Sequence, residues 1–172
     1  MKYFLPIFIL TFGSILFTND IKSQPDKIRF ERITRSSGLS HSTVYAIVQD
    51  NYGFIWIGTA DGLNRFDGYN LKKYYHNPEI PNSLGNSRIY NLLVDREGEL
   101  WIATLGGGLN RYRYQTDDFE VFLHNPDNPN SISHDIVMSV YEDKQGFIWA
   151  GTAENGLNRF DKKSKSFKRY LH

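Results

Sequence analysis

The sequence predicts an all-β fold: a partial β-propeller of three four-stranded antiparallel blades, preceded by a lone outer strand at the N-terminus. Three observations carry this. The run Asp50–Asp67 (DNYGFIWIGTADGLNRFD) returns as Asp95–Tyr112 (DREGELWIATLGGGLNRY) and as Asp143–Asp161 (DKQGFIWAGTAENGLNRFD). The three tryptophans, Trp56, Trp101 and Trp149, stand 45 and 48 positions apart, and a period near that value with short strands marks propeller blades. Aromatic residues make up 15% of the chain and sit at fixed places in the repeat, as expected of sheets faced with rings.

The second copy illustrates a blade. Arg88–Val94 is rich in apolar and β-forming residues and ends at Asp95. Asp first and Gly fourth is type I turn chemistry: the carboxylate accepts from the turn backbone and Gly takes the left-handed conformation. Asp50 and Gly53, Asp95 and Gly98, and Asp143 and Gly146 keep this spacing. A second strand follows at Leu100–Thr104, a third at Leu109–Tyr112 after a Gly-rich turn, and a fourth at Phe119–His124. Asn125–Ser131 and its counterpart Asn77–Ser83 carry prolines that cannot serve a strand interior, so they read as links between blades.

The chain divides accordingly. Residues 1–23 are one Lys, an apolar run to Phe17 and a polar close, the layout of an export signal. Cleavage is expected between Ser23 and Gln24; an uncleaved anchor is the alternative. The apolar run is shorter than the roughly 20 residues of a membrane span, and no membrane insertion is expected after cleavage. Residues 24–38 are a linker and a lone strand, Ile28–Ile33, that resembles the fourth strands. Residues 39–83, 84–131 and 132–172 are blades 1, 2 and 3. Since propellers use four to eight blades, three do not close a ring. The expectation is either the opening part of a longer propeller or chains that pair to complete one.

Composition excludes several classes. Without Lys2, Lys22 and Asp20 of the leader, acidic and basic residues balance, so neither nucleic acid nor an anionic membrane is an expected partner. Cysteine is absent, which removes disulfides, thiolate zinc sites and thiol catalysis. No cofactor is expected.

From Gly38–Tyr45 (GLSHSTVY) through Asp-x-x-Gly-x-x-Trp to Gly-Leu-Asn-Arg-aromatic, residues 38–172 resemble the two-component regulator propeller repeat. The resemblance implies a periplasmic sensor region of a hybrid two-component system of the kind common in Bacteroidetes. It implies detection of glycan fragments, with the histidine kinase of such systems lying outside this chain. An exported, non-enzymatic sensing module with an oligosaccharide as partner is therefore the leading expectation. A non-catalytic structural or interaction propeller, completed by further blades or by self-association, is the second. A propeller lyase or hydrolase is the third.

Residues present in every copy are expected to build the blade: Asp50, Gly53, Trp56, Asp95, Gly98, Trp101, Asp143, Gly146, Trp149 and the Asn-Arg pairs. His76, His124 and His172 share one repeat position, and His41 and His134 another, which is not metal-ligand spacing; no metal is expected. Ligand contacts are expected where copies differ, in the loops after each second strand. Asp61, Glu154 and Asn155 would hydrogen-bond a glycan, and Tyr69 or Tyr90 would stack on a sugar face.

Overall fold

A computed structural model describes residues 30–170. The export signal expected at 1–23, together with Ile28, Arg29 and His172, lies outside the described residues. Blade 1 comprises β1 (Val44–Gln49), β2 (Ile55–Thr59), β3 (Leu63–Phe66) and β4 (Leu71–Tyr74). Blade 2 comprises β5 (Ile89–Val94), β6 (Leu100–Thr104), β7 (Leu109–Arg113) and β8 (Asp118–Phe122). Blade 3 comprises β9 (Val137–Glu142), β10 (Ile148–Thr152), β11 (Leu157–Asp161) and β12 (Ser166–Tyr170). Each sheet is antiparallel with its strands in sequence order. The first strands of successive blades, β1, β5 and β9, are neighbours, so they form the inner edge of the stack.

The outer strand expected at Ile28–Ile33 is absent from its described part. Phe30–Ile33 makes no ladder and runs into a 3-10 turn at Arg35–Ser37, whose Ser37 Oγ accepts from Thr34 N at 2.6 Å. Among the described residues every third strand is already paired on both sides, which leaves the segment no sheet to complete.

The first hairpin of each blade is closed by its aspartate. Asp95 Oδ1 accepts from Glu97 N at 3.0 Å and Glu99 N at 2.9 Å, while Oδ2 accepts from the indole Nε1 of Trp101 at 2.8 Å. Asp50 does the same for Tyr52, Phe54 and Trp56, and Asp143 for Gln145, Phe147 and Trp149. The fourth turn residues take left-handed backbone, with φ of 89° at Gly53, 84° at Gly98 and 87° at Gly146, a region that penalises a Cβ.

The core lies between the sheets. The tryptophan faces of blades 1 and 2 each meet the aromatic face of the next blade: Trp56 packs on Tyr112 at 4.7 Å, and Trp101 on Phe160 at 5.4 Å, both edge to face. Trp56 and Trp101 are fully buried. Gly58 is small for the same reason, since a Cβ there would come within 2.6 Å of Ile89 Cγ2 in blade 2.

Polar contacts lock these interfaces from the third hairpin. Tyr114, just after β7, donates to Asp50 Oδ2 at 2.9 Å, and Lys162, the same repeat position in blade 3, reaches Asp95 Oδ2 at 2.6 Å. Asp117 at the tip of the blade 2 hairpin binds Lys72 and accepts from Tyr74 at 2.7 Å, and Tyr112 also donates to it. Its counterpart Lys165 pairs with Glu120 of blade 2 at 3.0 Å.

Burial alone would raise the Asp117 pKa, but hydrogen bonds from Lys72, Tyr112 and Tyr74 outweigh it and hold the carboxyl at about 2. An unfolded aspartate titrates near ~3.9, so this depressed value contributes stability that is complete above about pH 4. That stability disappears as pH falls through about 2. Asp117→Asn is therefore expected to flatten the acid limb of stability against pH, measured by urea unfolding between those limits. An unchanged limb would show that Asp117 does not carry it.

Candidate functional site

The loops after β2, β6 and β10 share a rim with the links, as hydrogen bonds show directly. Gly62 N donates to Ser87 O at 2.6 Å, and Gly106 N and Gly108 N donate to Asp135 O at 3.1 and 2.8 Å. The loops of blades 1 and 2 are thus seated on the entry to the following blade, while the blade 3 loop is held by its own entry segment, Ser133 Oγ donating to Asn155 O. In the blade 2 loop the contact is backbone on backbone: a Cβ on Gly107 would collide with Gly85 C and Asn86 N.

Repeated polar residues build this rim. Asn110 Oδ1 accepts from Gly85 N at 2.8 Å while its Nδ2 donates to Gly107 O at 2.9 Å. Asn64 and Asn158 accept through Oδ1 from Ser40 N and Ser133 N in the same way, while their Nδ2 donates to the Oγ of that serine. The four described histidines are structural too. His76 and His124 donate from Nδ1 to Leu84 O and Ile132 O, both at 2.8 Å, while His41 and His134 accept from Thr43 N and Ile136 N, both at 3.0 Å.

Of the ligand-contact candidates, Asp61, Glu154 and Asn155 are exposed on this rim, in the loops of blades 1 and 3. Asn155 O also accepts from Ser133 Oγ at 2.8 Å. Tyr90 sits at the bulge that opens β5, on the inner edge at the same rim. Its neighbour Tyr45 occupies the equivalent bulge of β1, with ring centroids 5.4 Å apart. Met138 continues the column at the β9 bulge. Bulges re-aim side chains, and here they place an aromatic pair at the mouth of the inner edge. Tyr45 was not singled out by the sequence reading; the register shift shared by β1 and β5 is the signal that marks it. Tyr69 belongs elsewhere: it lies in the β3–β4 turn, at the opposite end of the strands from Asp61, and is 92% exposed.

Carboxylate oxygens of Asp95, Glu97 and Glu99 lie within 4.8 Å of one another, a grouping that invites a metal reading. Protein cations already occupy it. Lys162 Nζ is 2.6 Å from Asp95 and 3.2 Å from Glu97, and Arg111 is 2.7 Å from Glu99. Burial opposes ionisation of Asp95, but Lys162 and the Trp101 indole overcome it and lower the pKa. Burial instead dominates at Glu99, whose pKa rises despite Arg111.

A family model described as two component regulator propeller matches residues 38–61, 83–106 and 131–154, one match opening each blade. The chain is built from two-component regulator propeller repeats. These regulator repeats are similar in structure to the extracellular domain of a protein described as a hybrid two component system from B. thetaiotaomicron. The two are 32% identical with a TM-score of 0.78, over 82% of this chain and 20% of that one. A histidine kinase P4 of Formosa agariphila is 43% identical over 76 residues, 42% of this chain and 6% of that protein. Virginiamycin B lyase from Staphylococcus aureus, 20% identical with a TM-score of 0.55 over 76% of this chain and 41% of its own, shares the fold. The chain spans about a fifth of that solved extracellular domain and a small part of the kinase.

Lys162→Met is expected to lower stability by about 3 kcal/mol, because it leaves the Asp95 carboxylate buried without its cation. Millimolar calcium or zinc is expected to leave the Tm unchanged. A Tm that rises with either ion would show that the carboxylates hold metal in preference to Lys162.

Proposed function

We propose that these blades belong to an exported, ligand-sensing propeller of a hybrid two-component system, and that the ligand is a glycan fragment. One observation carries the reading: the match to an extracellular domain of such a system at 32% identity over 82% of this chain. The rim supports it. The frame of Asn and turn contacts recurs in each blade, whereas the loops at Asp61, Leu105–Gly108 and Glu154–Asn155 differ in charge and length. The Tyr45–Tyr90 pair offers aromatic faces beside them, suited to the apolar face of a sugar. The invariant aspartates are each committed to a turn and an indole, which argues for binding over turnover. Among the described residues no helix is long and apolar enough to cross a membrane. Export follows from the leader, with Gln24 as the first residue of the mature protein.

Isothermal titration with a panel of oligosaccharides tests the ligand class. Tyr90→Ala is expected to weaken binding about tenfold, with smaller losses for Asp61→Ala and Glu154→Ala. Tyr69→Ala, on the other rim, is expected to leave affinity unchanged. Binding that depends on Tyr69 and not Tyr90 would move the site, and an unresponsive panel would remove the glycan. N-terminal sequencing of the periplasmic fraction tests export; a cytoplasmic protein retaining Met1 would contradict it.

A further inference from the structure

The outward face of blade 3 repeats, at three of the four positions of its central row, a face that already has a partner. Cross-strand register places Val48, Trp56, Arg65 and Lys72 in one row across blade 1. The row in blade 3 is Tyr141, Trp149, Arg159 and Lys168. Details agree as well. Lys72 and Lys168 both stand 5.2 Å over the ring two residues on, Tyr74 and Tyr170. Trp56 lies 5.7 Å from Tyr74 and Trp149 5.4 Å from Tyr170, each inclined at 30°. Arg65 covers Phe54 at 4.6 Å, and Arg159 covers Phe147 at 4.1 Å. Blade 2 departs from this pattern, with Glu99 and Glu120 around Arg111.

On blade 1 this face is covered by blade 2, which supplies three groups: the Tyr112 hydroxyl 3.0 Å from Arg65, the Tyr114 hydroxyl on Asp50, and the Asp117 carboxylate on Lys72. On blade 3 all three partners are missing among the described residues. Arg159 Nε is buried with no hydrogen-bond partner. Asp143 Oδ2 receives only the Trp149 indole, and Lys168 makes no ion pair. Trp149 is half-buried where Trp56 and Trp101 are fully buried, and Leu157 is 41% exposed where Leu63 and Leu109 are fully buried.

We propose that this face docks a further propeller-repeat blade of the blade 2 type, supplied from outside residues 30–170. Its inward face carries a tyrosine at the Tyr112 position, a hydrogen-bond donor at the Tyr114 position and an acid at the Asp117 position. Charge complementarity selects the acid: Lys72 takes Asp117, Glu120 takes Lys165, and Lys168 requires a carboxylate. The same code rejects blade 1 of a second copy, and with it a ring of two chains joined head to tail. Blade 1 has Phe66 where blade 2 has Tyr112. Its third hairpin, Asp67–Asn70, is two residues shorter than Arg113–Asp118 and has no tip acid. Its aspartate, Asp67, is already held by Tyr69 N and Asn70 N.

The test extends the full chain after His172 in two ways. One fusion appends a copy of residues 77–124, a link and blade 2; the other appends 77–83 followed by 39–76, the same link and blade 1. Hydroxyl-radical footprinting read by mass spectrometry reports Trp149, Tyr141 and Tyr170, while continued protection of Trp56 and Trp101 reports the integrity of the parent blades. The blade 2 fusion is expected to lose labelling at the three reporters, and the blade 1 fusion to retain it. Lys168→Glu in the blade 2 fusion is expected to restore labelling, and changing the appended counterpart of Asp117 to Lys is expected to remove it again. Equal protection in both fusions, protection in neither with the parent blades intact, or indifference to Lys168→Glu would each overturn the proposal.

Discussion

The bond between the turn aspartate and the tryptophan indole two strand positions past the turn is what the rest of the structure depends on. One carboxylate spends one oxygen on two turn amides and the other on the indole, so hairpin closure and ring orientation are set together. A tryptophan fixed in this way presents a flat apolar surface at the same height in each blade, and the next blade packs on it. Loss of such a ring from a core costs about 3–5 kcal/mol. A buried carboxylate needs compensation, and the donors from the following blade, Tyr114 and Lys162, provide it. Intra-blade geometry and inter-blade cohesion therefore meet at one atom, Oδ2 of the aspartate.

The frame was legible in the sequence because each of its parts recurs. Asp, Gly and Trp at fixed spacing announce the turn, the left-handed residue and the ring, and Leu-Asn-Arg announces the third strand. Contacts between blades were not legible, since the positions that make them change chemistry from copy to copy. Tyr114 and Lys162 do one job with a phenol and an ammonium. Lys72–Asp117 and Glu120–Lys165 are the same contact with the charges exchanged. A repeat search discards such positions as variable; only register across the sheets shows that they covary.

The candidate site was read in part. The loops at Asp61 and at Glu154–Asn155 lie on the link rim, as alternation of strand direction requires. Tyr69 was grouped with them on residue type alone, and counting strands places it at the other end. Tyr45 escaped notice because its value depends on a bulge, which shifts a side chain without leaving a mark on composition. The lone N-terminal strand was inferred from likeness to the fourth strands, and Phe30–Ile33 makes no ladder with the three sheets described.

Gly106–Gly108 looks, as a string of letters, like slack. In the folded chain it is the opposite of slack: the peptide at Gly107 lies directly against the peptides of Gly85 and Asn86, with no side chain between two main chains. A flexible linker tolerates substitution because nothing touches it, whereas here one methyl group would act as a wedge between loop and link. Asn110, which grips both sides of that joint, would be pulled off one of them. The loop of lowest apparent information is thus among the least mutable in the blade. Its three amides are already committed, Gly106 and Gly108 to Asp135 O and Gly107 to Thr104 Oγ1, and only Gly106 is exposed, so a ligand that reaches the rim over blade 2 meets a closed joint whose hydrogen bonds point inward.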